Sequence, residues 1–529
     1  MSGRELTLSW AALLLLGALI YLPHLLHGGL YSDDWRGAAG ALHPPGGPGL
    51  LNAVDFSAEK LSLGRPVVVL LVPLKYLVFG THVKLLLALS VALAMAAAML
   101  VYGVLRTLTM PWYHSLLLAA LTLAYPWFDS TRLWETASFQ SLAIVFAFAG
   151  FWLALIGLSR RSWRLHAAAA FLYLLSVLTY EVTLPLIAAA GIAYVARAGW
   201  RVGRWRWATD IAVIGVGAAW NAVHTPKSVS TPSGDLSHLG KIVDRGGELL
   251  ARTVYPLGLD AHTSAVLSVL TLVFGVGVAV HLLTRRRSAE GGPWGLGSWL
   301  LLGAAGLLTA ALGWAMFIPA DPYYSPSVFG VTNRVNGLAG FGLVFLGYAA
   351  LGIIGSLCGR AKPRMPAVGI AITVGLAFAL GAAYVHVLER HIRLWDDAFA
   401  WEQNGVNRLK NTFPRLPHGA TVFASNYPAN VGIDVPVFAS TWDLRGMVQV
   451  TYADNTLQAY PITKNIEIHC RREGIVAETG QEHTRVAPYG TARLFDLSTG
   501  RHLTPRDQRQ CSAEKPRFAP GPLYLTPSY

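Results

Sequence analysis

The chain has 529 residues, of which 53% are hydrophobic and only 13% charged, with a mean hydropathy of +0.43. A soluble protein of this size carries about 25% charged residues, so the composition excludes a globular enzyme and indicates a polytopic α-helical membrane protein. The net charge of +13 does not indicate a nucleic-acid partner, because the basic residues cluster in short loops between apolar runs.

Apolar runs of about 20 residues, the length that spans a bilayer, fill most of residues 1–388. Short loops rich in Lys and Arg lie on the cytoplasmic side of membrane proteins, and four such loops set the topology: Arg160, Arg161 and Arg164; Arg197, Arg201, Arg204 and Arg206; Arg285, Arg286 and Arg287; Arg360, Lys362 and Arg364. The sequence therefore predicts a multi-pass protein of the cell membrane with about 11 transmembrane helices. Residues 8–26 form a retained first helix, and residues 27–82 form the first outer loop.

Residues 66–79 are the one apolar segment that leaves this count open. The segment has about 14 residues and contains Lys75 and two prolines, so an interfacial or re-entrant helix is favoured over a span. If the segment did cross, there would be 12 spans and the first loop would lie inside the cell.

Residues 166–196 form one long apolar stretch with a basic loop at each end. Both ends then face the cytoplasm, so the stretch has to cross twice and turn near Thr179-Tyr180-Glu181. The same rule leaves a polar outer loop at 224–262 and a returning helix at 264–283. Charge distribution alone thus predicts Glu181 at the outer membrane face.

Asp33 and Asp34 follow the first apolar run and lie beside Tyr31 and Trp35. Carboxylates at a membrane face indicate a functional site, although acids also cap or solvate helix ends. Both interpretations stay open from these residues alone.

Residues 389–529 are polar and contain no membrane-length run, so they predict an extracytoplasmic α+β domain after the transmembrane domain 1–388. An amphipathic helix is expected at 394–413, and strands are expected at 421–424, 447–452 and 466–470. Cys470 and Cys511 lie in this domain, where one disulfide is possible because outer compartments are oxidising; two buried thiols are the alternative.

This arrangement resembles the bacterial members of the GT-C superfamily of integral-membrane glycosyltransferases. The resemblance rests on Asp33 and Asp34 after the first span, on the apolar segment 65–80, and on Glu181 followed by Pro185. It implies transfer of a sugar from a polyprenyl-phosphate donor to a glycan, glycolipid or glycoprotein of the cell envelope, at the outer face of the membrane.

The resemblance also implies roles for individual residues. A first-loop carboxylate acts as the general base, with Asp34 slightly favoured over Asp33. Because adjacent acids repel, one of the two is expected to have a raised pKa suited to a base while its neighbour stays charged. A divalent metal, Mg²⁺ or Mn²⁺, is allowed by the resemblance, but no ligand spacing demands one. The residues predicted to bind substrate or the donor phosphate are Glu181, Arg334, Arg132, Tyr324 and Arg65.

Two other functions fit the same topology. A transporter or flippase of lipid-linked saccharides would place ionisable groups near the bilayer midplane and often show inverted repeats, whereas the acids here concentrate at one face. A non-catalytic partner in envelope assembly would keep the same topology and would use the outer domain for binding.

Overall fold

The computed structural model describes residues 2–61, 63–225, 236–257, 294–361, 367–479 and 486–525. The predicted returning helix at 264–283, the basic loop at 285–287, and Lys362 and Arg364 lie outside the described residues. Sixteen α-helices occur in the described ranges. They are α1 (Gly3–His27), α2 (Asp33–Leu42), α3 (Leu50–Leu61), α4 (Pro66–Phe79), α5 (Val83–Thr107), α6 (Trp112–Ala124), α7 (Ser130–Leu133), α8 (Ser138–Arg160), α9 (Trp163–Thr179), α10 (Leu184–His224), α11 (Leu236–Val254), α12 (Leu296–Ala315), α13 (Ala339–Ala361), α14 (Ala367–Thr412), α15 (Thr441–Tyr452) and α16 (Gln508–Glu514).

Seven helices of the described segments are long and apolar enough to cross a membrane: α1, α5, α8, α10, α12, α13 and α14. Three shorter apolar helices, α4, α6 and α9, accompany them. Helix α10 is two helices joined at Gly199, whose φ of 76° and ψ of 163° break the helical path. Glycine tolerates this left-handed φ without a steric penalty, so the predicted basic loop at Arg197–Arg206 is a sharp turn on one residue.

The hairpin predicted from charge is confirmed as a backbone feature. Helix α9 ends at Thr179, Tyr180 is extended with φ −157° and ψ 123°, and a 3₁₀ turn spans Glu181–Thr183 before α10 begins. Pro185 lies in the first turn of α10, where its missing N–H costs nothing because that donor has no helical partner.

Helix α4 has the bounds expected for the short apolar segment, Pro66–Phe79. Its 14 residues extend about 21 Å at 1.5 Å per residue, which is less than the hydrocarbon thickness of about 30 Å. The helix packs against α2 and α3 of the first loop.

The predicted division at residue 388 is not a break in the backbone. Residues 367–412 form one helix, α14, of 46 residues, so the expected last span and the expected helix at 394–413 are continuous. The sequence becomes polar at Glu389, but it contains no proline along this stretch. A change of surroundings does not interrupt helical hydrogen bonds, whereas a proline does.

The C-terminal region is an α+β unit around a four-stranded sheet in the order β4-β1-β7-β8. The strands are β1 (Thr421–Ser425), β2 (Asn430–Val431), β3 (Val435–Pro436), β4 (Gln458–Pro461), β5 (Ile466–Arg471), β6 (Gly474–Thr479), β7 (Ala492–Asp496), β8 (His502–Leu503) and β9 (Tyr524–Leu525). Strand β1 pairs in parallel with both β4 and β7 and is buried throughout, as expected for a central strand. The predicted strands at 421–424 and 466–470 are therefore correct.

The predicted strand at 447–452 is wrong, because these residues form the end of helix α15. The helix starts with a capping box, in which Ser440 and Asp443 satisfy each other's backbone N–H groups. This start signal lies upstream of the β-branched run and outweighs its strand propensity. Elsewhere in the region, a disulfide joins Cys470 and Cys511, whose Cα atoms lie 5.9 Å apart.

Candidate functional site

The first loop is held in place through Asp34. Its side chain is fully buried, and one carboxylate oxygen accepts a hydrogen bond from Tyr31 N at 2.9 Å. The other oxygen accepts from Thr136 N at 2.8 Å and from the Thr136 hydroxyl. Trp134 Nε1 also donates to the Tyr31 carbonyl at 3.0 Å. Asp34 thus joins the start of α2 to the segment that precedes α8, and its oxygens are occupied.

Burial raises the pKa of Asp34 to about 7, and the negative charge of Glu135 adds to this effect, while Lys75 opposes it. A carboxyl with a pKa near neutrality is suited to base catalysis. Geometry has to come first, however, and both oxygens of Asp34 point into the protein against backbone donors.

Asp33 contrasts with its neighbour. Its side chain is half-buried, and within the described segments it has no hydrogen-bond or ion-pair partner. The residue before it, Ser32, has a positive φ of 46° with ψ −113°. A non-glycine residue in this region of φ/ψ space is strained, and such strain concentrates at functional sites. The backbone is therefore held in a costly conformation at the residue that orients Asp33.

Arg334 lies in the 3₁₀ turn Val331–Asn336, between α12 and α13. Its guanidinium carbon is 5.0 Å from the ring centre of Trp134 and 5.7 Å from that of Tyr324. Burial alone would lower the pKa of Arg334, but Tyr180, Tyr323 and Asp33 outweigh it and raise the pKa. Among the residues that the structure describes, no carboxylate forms an ion pair with Arg334.

Arg65 and Glu181 form a two-pronged ion pair, with Arg65 Nε and Nη2 donating to the two carboxylate oxygens at 3.0 and 2.5 Å. The side chains are 34% and 26% exposed, so the pair is half-buried. The Arg65 guanidinium carbon is 4.1 Å from the ring centre of Tyr180. Although burial opposes it, the charge of Glu181 raises the pKa of Arg65, with Tyr324 contributing.

Five of the predicted site residues therefore share one neighbourhood: Asp33, Arg334, Tyr324, Arg65 and Glu181. We call this set the first-loop cluster. Tyr324 links its two halves, because its ring centre lies 5.7 Å from the Arg334 guanidinium carbon and because it contributes to the raised pKa of Arg65. The sequence places these residues on separate loops, and helices α4, α9 and α12 bring them together.

The C-terminal region contacts two of the segments that carry the first-loop cluster, helix α2 and the turn Val331–Asn336. Helix α15 packs on α2 so closely that a Cβ added at Gly446 would lie 2.5 Å from the Trp35 carbonyl oxygen. Asp434 accepts hydrogen bonds from Thr332 N and Oγ1 at 3.0 and 2.7 Å. The turn that carries Arg334 and the helix that carries Asp33 are thus both fixed against the same unit.

Arg132, predicted to bind substrate or the donor phosphate, lies outside the first-loop cluster. It is 2% exposed and donates to the carbonyls of Thr122, Leu123 and Tyr125 and to the Tyr21 hydroxyl. These are the unpaired carbonyls at the end of α6, which an arginine side chain satisfies. Its donors are consumed by the fold.

Two further sets of buried polar groups were not assigned a role from the sequence. Lys75 and Glu135 form a buried ion pair, at 5% and 0% side-chain exposure. Asp129 accepts from Asn333 Nδ2 and is 2.9 Å from His391 Nδ1. We call Lys75, Glu135, Asp129 and His391, together with Arg132, the inner polar layer. The sequence feature that could have predicted the Lys75–Glu135 pair is the presence of a lysine inside an apolar helix.

No group of three or more His, Cys, Asp or Glu side chains that could hold a metal ion occurs among the described residues. Asp33 has only one adjacent acid, and both oxygens of that acid, Asp34, are already bonded. Of this pair, only Asp33 has carboxylate oxygens left for the divalent metal that the resemblance allowed.

No family model matches the sequence, and no curated protein matches it significantly. Among solved structures, the chain is similar to ArnT from Cupriavidus metallidurans bound to undecaprenyl phosphate, with 12% identity, a TM-score of 0.38 and 86% of each chain covered. It is also similar to the apo oligosaccharyltransferase of Archaeoglobus fulgidus, with 12% identity, a TM-score of 0.38 and coverage of 85% of this chain and 64% of that one. Both neighbours are glycosyltransferases of the GT-C type. At this TM-score, neither likeness carries an argument about the activity of this chain.

Proposed function

We propose that this chain is an integral-membrane glycosyltransferase that moves a sugar from a polyprenyl-phosphate donor to a cell-envelope acceptor at the outer face of the membrane. One observation carries the proposal. Among the described residues, Asp33 and Arg334 have no hydrogen-bond or ion-pair partner. They are connected through Trp134, whose ring centre lies 5.0 Å from the Arg334 guanidinium carbon and whose Nε1 donates to the carbonyl of Tyr31, two residues before Asp33. The charge of Asp33 also contributes to the raised pKa of Arg334. Displacement of a phosphate by a hydroxyl needs a base and a cation in this relation.

Asp33 is the general base of this reaction. It accepts the proton of an acceptor hydroxyl while that oxygen forms a bond to the anomeric carbon of the donor sugar. The bond from the anomeric carbon to the phosphate oxygen breaks, and the lipid phosphate leaves with the electron pair. Asp34, which the sequence slightly favoured, is a positioning residue in this proposal, because its two oxygens hold the backbone around Asp33.

Arg334 binds the phosphate of the donor and stabilises the charge that develops on it. Its guanidinium lies against two aromatic rings, Trp134 and Tyr324, which leaves the donors at its edge for phosphate oxygens. Arg65 supplies a second positive group, which Glu181 holds in position at the rim. The apolar faces of the neighbouring spans would receive the lipid chain of the donor.

The test is turnover of polyprenyl-phosphate-linked sugars by the purified chain in proteoliposomes, measured as release of polyprenyl phosphate. Asp33→Asn is expected to lower turnover by about 10²- to 10⁴-fold, the usual contribution of a general base, while the protein stays folded. Asp55→Asn is the matched control, since Asp55 is an exposed acid of the same loop. Equal turnover in the two variants, or turnover that requires a proton gradient, would contradict the proposal.

Sidedness is tested separately by cysteine labelling. Cys358 is the free cysteine among the described residues, so it is first replaced by serine. Leu51→Cys, at an exposed position of the first loop, is expected to react with a membrane-impermeant maleimide on intact cells. Arg164→Cys, in a basic loop, is expected to react only after lysis. The opposite pattern would place the first-loop cluster in the cytoplasm.

A further inference from the structure

A cavity of about 110 Å³ lies between helix α14 and the C-terminal α+β unit, away from the first-loop cluster. One wall is a single face of α14, formed by Trp401, Asn404 and Arg408. The other wall comes from the α+β unit, and its main residues are Tyr427, Phe438 and Leu497. The mechanism proposed above does not use this cavity.

The polar groups at the rim of this cavity are incompletely bonded. Arg408 Nη1 donates to the Leu497 carbonyl at 2.9 Å, which orients the guanidinium, and its other donors have no partner among the described residues. Within the described part of the chain, the Asn404 amide and the Trp401 indole N–H have no hydrogen-bond partner. Asn404 and Arg408 are both exposed, so these donors are available to a ligand.

The floor of the cavity is apolar and aromatic. Phe438 is fully buried and Tyr427 is 5% exposed, with its hydroxyl donating to the Phe438 carbonyl at 2.9 Å. Gly405 lies on the cavity wall, and a Cβ there would come within 3.1 Å of Leu497 Cδ2. A larger residue would therefore close the space between the helix and the sheet.

The position of the cavity excludes a lipid chain as its occupant. Trp401 is 13 residues beyond Leu388, where the apolar part of α14 ends, so it lies about 20 Å further along the helix at 1.5 Å per residue. An occupant at that height is water-soluble. The half-buried Trp401 ring, with the Asn404 amide and the Arg408 guanidinium beside it, is suited to a ring that has one apolar face and hydroxyls at its edge.

We propose that this cavity binds one sugar unit of the acceptor glycan. The inference rests on the proposed function, because it gives the acceptor a second point of attachment. Glu402, next to Trp401 in the chain, accepts a hydrogen bond from Trp35 Nε1 at 2.9 Å, and Trp35 is two residues from Asp33. The helix that forms one wall of the cavity is thus bonded to the first loop at the residue next to Trp401.

Direct binding of sugars to the purified full-length chain in detergent tests this inference without any need for turnover. The probes are methyl glycosides of neutral hexoses, a pentose and a hexuronic acid, titrated by calorimetry and by saturation-transfer NMR. At least one probe is expected to bind. Arg408→Ala and Asn404→Ala are each expected to weaken that binding about tenfold, which corresponds to about 1.4 kcal/mol, and Trp401→Phe is expected to weaken it less.

The matched control is Lys410→Ala. Lys410 is an exposed cation that lies on the opposite face of α14 from the cavity, so its loss is expected to leave the affinity unchanged. Because Asn404 and Arg408 are exposed, their substitution leaves the fold intact, which the melting temperature checks. The inference is overturned if no probe binds the unaltered chain, or if Arg408→Ala and Lys410→Ala bind equally well.

Asp33→Asn separates this inference from the proposed function. That variant is expected to bind the sugar like the unaltered chain while losing turnover. No turnover by the unaltered chain, with sugar binding that depends on Arg408, contradicts the proposed function alone, and normal turnover in Asp33→Asn contradicts the role of Asp33 as the base. Lost turnover, with no sugar binding in any variant, contradicts the cavity assignment alone.

Discussion

The first-loop cluster and the inner polar layer both contain acidic and basic side chains at or near the ends of apolar helices. They differ in what their charges contact. In the inner polar layer, Arg132 donates hydrogen bonds to backbone carbonyls, and Lys75 forms an ion pair with Glu135. In the first-loop cluster, Asp33 and Arg334 have no ion-pair partner among the described residues. A charge that the fold has already paired is not available to a ligand, whereas a charge without a partner can bind one.

The largest effect that would sharpen this comparison is expected from Lys75→Met. Removing the lysine leaves Glu135 buried without its partner, which costs about 3–5 kcal/mol of unfolding free energy. The variant is expected to melt at a much lower temperature in detergent or to fail to accumulate. Lys84→Met, at an exposed position of α5, controls for the change of side chain.

The double variant Lys75→Met, Glu135→Met tests whether the loss comes from the unpaired charge. It is expected to recover most of the stability, because two apolar side chains replace the ion pair at similar volume. If the double variant melts as low as the single one, the pair has a role other than mutual neutralisation.

The next effect concerns Asp34 and pH. Its pKa of about 7 in the folded chain exceeds the unfolded value of about 3.9, so the unfolded state releases its proton first as the pH rises. Stability therefore falls between about pH 4 and pH 7, by up to about 4 kcal/mol, and levels off above that range. Asp34→Asn removes this dependence.

Melting temperatures of Asp34→Asn and the unaltered chain, compared at pH 5 and pH 8, check the prediction. The difference in melting temperature, Asp34→Asn minus the unaltered chain, is expected to be more positive at pH 8 than at pH 5. For Asp55→Asn, at an exposed position, the difference in melting temperature from the unaltered chain is expected to be the same at both pH values. An offset for Asp34→Asn that does not change with pH would show that Asp34 is already ionised at pH 5.

A smaller effect is expected at Arg334, and it falls on binding rather than on folding. Because no described carboxylate pairs with Arg334, Arg334→Ala leaves no charge uncompensated in the protein. We expect an unchanged melting temperature and a KM for the lipid-linked donor that rises about 10- to 100-fold, since a hydrogen bond to a charged group contributes about 1.5–3 kcal/mol. Arg334→Lys is expected to restore part of the loss. Arg390→Ala, an exposed arginine of α14, is the control, and an equal rise in that variant would remove the phosphate role.

The smallest effect is expected at Glu181. The Arg65–Glu181 pair is about one-third exposed, and exposed ion pairs contribute about 0–1 kcal/mol. Glu181→Gln is expected to lower the melting temperature slightly at low salt and not measurably at 0.5 M salt, because mobile ions screen the pair. If Glu181→Gln lowered the melting temperature as much as Lys75→Met, the Arg65–Glu181 pair would be a structural ion pair like those of the inner polar layer.

Much of the architecture is legible in the sequence because hydrophobic length and charge distribution act locally. The turn at Thr179–Glu181 follows from two basic loops and one overlong apolar run, and the short helix α4 follows from its length. The single turn at Gly199 and the continuity of α14 were missed for a related reason. Polarity reports where a segment lies, whereas helix breaks depend on backbone geometry at individual residues.

Only part of the candidate site could be predicted from the sequence. Position after a span singled out Asp33 and Asp34, but their difference depends on Thr136 and Tyr31 N, which approach Asp34 only after folding. Arg132 and Arg334 are similar in sequence, since each follows a polar residue near an outer turn. They differ in their partners: the carbonyls at the end of α6 accept hydrogen bonds from Arg132, whereas no described carboxylate pairs with Arg334. These contacts form between distant parts of the chain, so no local sequence pattern predicts them.

The unbroken helix α14 has a mechanical consequence. Its 46 residues form a rod about 69 Å long, with one end packed among the spans and the other against strands β2 and β3 of the α+β unit. A rod without a hinge transmits tilt, so a thicker or thinner bilayer that changes the inclination of the embedded half displaces the far half in proportion. The geometry above the first loop is thereby linked to the thickness of the surrounding lipid.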